Sequence, residues 1–150
     1  MSDISKELGI SKKTLYQYVE NKDDLIVQII IRHIQEEKQM VNSIVASSSN
    51  AIEEIFQIST YMNQLLQRII PSAIFDLRKY YRNAWDIVQE FHNGFVYDMI
   101  KMNIQRGMGE GLYRNDIRPD IITKLYLCMS QLILDPDTFP FPDYNQAELH

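Results

Sequence analysis

Gly9 lies between two short stretches that each carry the makings of a helical turn or two, and this constrains the chain more than any other feature. From Asp3 to Leu8, Ile4 and Leu8 share one helical face, and Ser2 or Asp3 can accept a bond from the free N–H groups of the helix start. A glycine just past a helix end adopts the left-handed conformation at little cost, so the chain can turn sharply at Gly9. Ile10 then fills the corner, and Ser11 caps a second helix expected from Lys12 to about Val19. Leu15 and Val19 lie on its inner face. With Ile4, Leu8 and Ile10 they predict an apolar seam between two helices set at a steep angle, a helix-turn-helix that leaves Lys12, Lys13, Thr14, Tyr16, Gln17 and Tyr18 mostly outward.

Past this head the spacing predicts helices throughout. Asn21 caps a long helix with Asp23 and Asp24 in its first turn, and Ile26, Ile30, Ile34, Val41 and Ile44 or Val45 form its buried stripe. The Ser47-Ser48-Ser49-Asn50 cluster breaks it, and Asn50 with Glu53 opens the next helix, whose expected stripe is Ile52, Ile55, Ser59, Met62, Leu66 and Ile69. Pro71 starts a shorter helix through Tyr81. A helix from about Asn83 to Met108 follows, with Trp85, Val88, His92, Phe95, Met99 and Met102 aligned, and Gly107, Gly109 and Gly111 end it in a flexible turn. After a loop over 111–119, Pro119 and Asp120 open a last clear helix through about Leu134. Three prolines between Pro136 and Pro142 prevent its continuation. No stretch keeps the period-2 alternation of a half-buried strand, so the predicted class is all-α: a head over 1–22 and a helical bundle body over 23–150.

A hydrophobic content of 45% suffices for a core, and mixed charges at 23% argue against disorder. The single cysteine, Cys128, excludes an internal disulfide framework, suits a reducing cytoplasm, and on the stripe Ile121, Leu125, Cys128, Leu132 reads as a small buried hydrophobe. No apolar run approaches the roughly 18 residues of a membrane span, so no membrane partner is expected. The net charge of −5 divides unevenly. Residues 1–22 hold four lysines against Asp3, Glu7 and Glu20, whereas 23–150 carry 11 basic and 17 acidic residues. An acidic body repels phosphate, so any nucleic-acid affinity concentrates at the amino-terminal end, where Lys12, Lys13 and Lys22 cluster.

Signals for catalysis are weak. His33, His92 and His150 are far apart, no Glu-x-x-His pair is present, and neither a Gly-rich phosphate loop nor a Gly-x-Ser-x-Gly elbow occurs. The expectation is a non-enzyme without cofactor or metal. The residues leave open a helical small-molecule-binding or interaction protein with no DNA function.

The run Ile4-Ser-Lys-Glu-Leu-Gly-Ile-Ser-Lys-Lys-Thr-Leu-Tyr-Gln-Tyr-Val-Glu-Asn-Lys-Asp-Asp-Leu25 resembles the DNA-binding signature of the TetR family of bacterial transcriptional repressors. Gly9, Thr14-Leu15-Tyr16, Tyr18 and Asn21-Lys22 carry the match, which is sharp over 1–26; beyond that only helix count, length and spacing are similar. The resemblance implies a cytoplasmic, ligand-responsive repressor that binds double-stranded operator DNA as a homodimer. By residue-to-residue match, Ser11, Lys12, Lys13 and Thr14 would reach bases or nearby phosphates, Tyr16, Tyr18 and Lys22 would mainly grip phosphates, and Gln17 could pair with adenine. Family members carry a further helix before the position of Met1 and a second dimer helix where Asp143–His150 begins, so these 150 residues are expected to be a fragment.

Two further sites follow. A dimer needs a self-complementary face, and Ile122, Leu125, Tyr126, Met129, Leu132 and Ile133 give the last helix more apolar surface than a monomer needs. A small-molecule pocket is expected where polar residues interrupt apolar stripes. Ser59 and His92 do so, with Tyr61, Phe75, Trp85 and Phe95 as aromatic walls and Met62 and Met99 as adaptable ones. The predicted effector is mainly apolar, aromatic or cationic.

Overall fold

A computed structural model describes residues 1–67, 71–133 and 138. Among the described residues the chain is helical, with no strand. The expected stop at Pro136–Pro142, the helix from Asp143, and Ile69 lie outside the described residues, as do the side chains of Pro71 and Ile133.

Helix α1 spans Ser2–Glu7 and α2 spans Lys12–Leu15. Between them Gly9 adopts φ 65°. The Ile10 N–H reaches back to the Ser5 carbonyl at 3.0 Å and the Gly9 N–H to Lys6 at 3.1 Å, the paired bonds of a Schellman stop. The second helix is shorter than its spacing predicts. After Leu15 the N–H groups of Gln17 and Tyr18 bond the carbonyls of Thr14 and Leu15, a tighter 3₁₀ pattern. Asn21, extended at φ −158°, must cap the next helix, so the chain unwinds before reaching it. Leu15 and Val19 are buried as expected, but Leu8 is 60% exposed and Ile10 also faces outward, with Ser5 taking the inner position of α1 instead.

Helix α3, Lys22–Ser47, begins where the Asn21 side chain accepts the Asp24 N–H at 2.9 Å. It packs against α4 (Ala51–Leu66) and α6 (Arg82–Phe91), α5 (Pro71–Tyr80) leans on α6, and α4 packs on α7 (Tyr97–Gly109), which in turn carries α8 (Pro119–Ile133). One core joins Val41, Ile44 and Ile58, with Tyr61, Met62 and Phe95 against them; a second joins Ile100, Ile104 and Leu127, and Met99 touches both.

Three expected stripes are displaced. On α4 the buried positions are Ala51, Glu54 and Ile58, while Ile52 and Ser59 are exposed. From α6 to α7 the helix runs on through a π turn at His92–Val96. A π turn inserts one extra residue, which rotates all that follows. An uninterrupted 3.6-residue period from Ala84 and Phe91 would carry Met102 inward; instead Met102 is 65% exposed and Asn103 is buried. On α8, Thr123 and Leu127 face inward, and Cys128, expected to be buried, is exposed together with Ile121, Leu125 and Leu132.

Gly107 is not part of a flexible turn. It is buried within α7, where an added Cβ would lie 2.2 Å from the Tyr113 ring, so glycine is needed for close approach. The turn is made by Gly111 at φ 73°. Tyr113 helps to complete a polar cluster that the sequence reading missed. Glu54 of α4 takes a 2.7 Å ion pair from Arg106 and a 2.9 Å bond from the Asn103 amide. Arg106 also bonds the Ser48 carbonyl and Glu110, Glu110 accepts the Ala51 N–H, and the Tyr113 hydroxyl donates to Asn103 or the Ala51 carbonyl. The start of α4 is thereby fastened to α7 by side chains that lie more than 45 positions apart in sequence.

Candidate functional site

The head presents a compact polar surface. Ser11 is extended, and its hydroxyl oxygen accepts the Thr14 N–H at 3.0 Å and shares a 2.8 Å bond with the Thr14 hydroxyl. Ser11 therefore holds α2 in place through its side chain, and Thr14 is half-buried beside it. Lys12, Lys13, Tyr16, Gln17 and Tyr18 are exposed around the same turn, Tyr18 at 74%. Two exposed lysines and two exposed tyrosines within seven residues supply ammonium and hydroxyl donors, the kind of donor set that grips phosphate oxygens.

A second fastening joins this surface to α3. The Gln28 amide donates to the Tyr18 carbonyl at 3.3 Å and to Asp24 at 3.0 Å, and Asp24 accepts the Glu20 N–H at 2.8 Å. Tilting α3 would therefore drag the Tyr16–Tyr18 turn with it. Lys22, expected to cluster with Lys12 and Lys13, has a partner of its own. Its ammonium lies 5.4 Å above the ring of Tyr81, at the junction of α5 and α6, and the bond to the Tyr81 hydroxyl raises its pKa above the usual lysine value.

A cleft of about 1590 Å³ opens between α3, α4, α5, α6 and α8. Of the residues predicted for a pocket, Ser59, Met62, Phe75, Trp85, His92, Phe95 and Met99 line it, whereas Tyr61 packs into the Val41–Ile44–Ile58 core. Ser59 borders the cleft as an exposed residue. The His92 imidazole is largely buried; among the described residues its Nδ1 has no hydrogen-bond partner, and burial lowers its pKa. Glu37, missed in the sequence, lines the same cleft, 8% exposed, with its carboxyl raised by burial to about 7. It had a legible signal, since it falls on the stripe between Ile34 and Val41, the same kind of interruption that marked His92.

On α8, Ile122, Leu125, Tyr126, Met129 and Leu132 are exposed, and the last three of these also line the cleft. No described helix is long and apolar enough to cross a membrane.

No protein-family model matches the chain. No solved structure matches it either. Over 138 residues, covering 91% of this chain and 72% of the relative, it is 27% identical to a Bacillus subtilis protein described as the uncharacterized HTH-type transcriptional regulator YvaF. An alignment of that length cannot be confined to the head, so the similarity runs through the helices of the body as well.

Proposed function

We propose that this chain is a DNA-binding transcriptional regulator of the TetR type, a repressor that binds a palindromic operator as a homodimer and is released by a small molecule held in the cleft. The observation that carries the reading is the head: a glycine stop and a serine cap fix α2 so that Lys12, Lys13, Tyr16, Gln17 and Tyr18 share one exposed surface. The likeness to an HTH-type regulator along nearly the whole chain supports it. Lys12, Lys13 and Thr14 approach base edges or neighbouring phosphates, the tyrosines and Lys22 fix register, and Ser11 acts by holding the turn. Footprinting on the DNA beside the protein's own gene tests this. A protected, two-fold symmetric site is expected, and uniform weak protection would contradict it.

About three phosphate contacts per subunit give a log–log salt slope of roughly −5 for a dimer. Lys22→Ala is expected to weaken all DNA sequences alike and to flatten that slope by about two, because two subunits each lose one contact. An unchanged slope would mean that Lys22 stays with Tyr81 when DNA is bound.

The homodimer is assigned to the exposed apolar residues of α8. One short recognition helix reads few bases, so two heads must be held about 34–36 Å apart. Introducing charge with Leu125→Glu and Met129→Glu is expected to give a monomer in sedimentation at micromolar concentration. Operator affinity should then fall roughly a thousandfold, to the non-specific level. A dimer that survives both substitutions would remove α8 from the interface.

A further inference from the structure

Among the described residues that line the cleft, Glu37 is the buried carboxyl. Glu37 is buried in the wall formed by α3, yet among the described residues its carboxyl makes no hydrogen bond and no ion pair. Its oxygens are not fully cut off from the space of the cleft, but burial raises the cost of its charge, which a cation entering the cleft would offset. Arg32, by contrast, is paired with Glu36, Lys22 lies on Tyr81, and Asp76 is exposed to water.

The surroundings indicate which group is missing. Phe91 and Phe95 stack with ring centroids 5.5 Å apart, and both line the cleft. The Lys38 ammonium already lies 5.6 Å from the first ring and 5.5 Å from the second, so these aromatic faces attract a cation in this fold. Burial disfavours the charged form of His92, and its Nδ1, which has no hydrogen-bond partner among the described residues, can bond a polar atom. Val41, Ile58, Met62 and Met99 supply apolar surface nearby. A carboxylate and aromatic faces around an apolar space fit a lipophilic ammonium ion better than an acid or a neutral compound.

We propose that the cleft binds a lipophilic ammonium compound, its cationic head paired with Glu37 and its apolar part against the Phe91–Phe95 stack. This rests on the reading of the cleft as the effector site and names the class of that effector.

The test is calorimetric titration, without DNA, of three matched probes: (biphenyl-4-yl)methylammonium, (biphenyl-4-yl)methanol and biphenyl-4-carboxylate. The ammonium is expected to bind about tenfold to a hundredfold more tightly than the other two, the usual worth of a bond to a charged partner. Glu37→Gln should abolish that preference while leaving the alcohol's affinity within about threefold, and Glu37→Asp, which keeps the charge, should retain part of it. Equal affinity for all three probes, no binding of any, or an unchanged preference in Glu37→Gln overturns the inference. A parallel titration of DNA from beside the gene separates the two readings. Charge-selective binding by a protein that ignores DNA sustains the inference and defeats the regulator; sequence-selective DNA binding with no discrimination among the probes does the reverse.

Discussion

Arg106→Ala is expected to destabilise the fold more than Glu54→Ala does. Removing one partner of a buried ion pair leaves the other charge without compensation, and the two partners are not equally buried. The Glu54 side chain is 3% exposed and that of Arg106 30%. Without Arg106, the Glu54 carboxylate keeps only the Asn103 amide and cannot reach water, while Ser48 and Glu110 also lose a donor. Without Glu54, the guanidinium still has Glu110, the Ser48 carbonyl and solvent. Chemical denaturation of the two variants checks the order. Equal small losses, under about 1 kcal/mol, would place the cluster with ordinary surface pairs.

Raising the pH from 5 to 8 is expected to lower stability through Glu37, and Glu37→Gln to remove that loss. A carboxyl whose folded pKa is about 7, against 4.5 unfolded, binds a proton in the native state that the unfolded state has released. The native state is thus penalised progressively between those values, and the penalty is complete above pH 7. At about 1.4 kcal/mol per unit, the window corresponds to roughly 3 kcal/mol. His92 works in the opposite direction and in a lower window: its folded pKa is depressed, so its contribution is lost as the pH falls below the ordinary histidine value of 6.5. The difference between wild type and Glu37→Gln isolates the carboxyl. The glutamine variant should be the more stable protein at pH 8 and lose its advantage at pH 5. An ammonium ligand should stabilise the wild type most at the alkaline end, where Glu37 is ionised.

Local chemistry was legible in the sequence wherever one short segment decides the outcome. The caps at Ser11, Asn21 and Asn50, the stop at Gly9 and the start of α8 at Pro119 all depend on residues within a few positions of each other. What was missed depends on register or on distant partners. The π turn at His92–Val96 has no sequence signature in its own residues, and by adding one residue it moved Met102 outward and Asn103 inward. Glu54 and Arg106 meet across 52 positions, so neither reveals the other in a linear reading. Glu37 and Glu54 were nevertheless readable in part, since each lies at helical spacing among buried residues, Val41 and Ile44 for one and Ala51 and Ile58 for the other. Charged side chains are seldom fully buried, so nothing in their residue type marks these two as interior. Cys128 and Ser59 are placed inward by spacing and lie at the surface.

The central claim is that the head recognises a DNA sequence, and the most direct test compares two labelled duplexes by fluorescence anisotropy at 150 mM salt. One carries the footprinted site from beside the protein's own gene, the other the same bases scrambled. The wild-type chain is expected to bind the first at least about a thousandfold more tightly. Substituting Lys13 and Gln17 by alanine together should reduce that ratio toward one, with far less effect on the scrambled duplex. Equal affinity of the wild type for both duplexes, or a ratio untouched by the double substitution, would contradict the account.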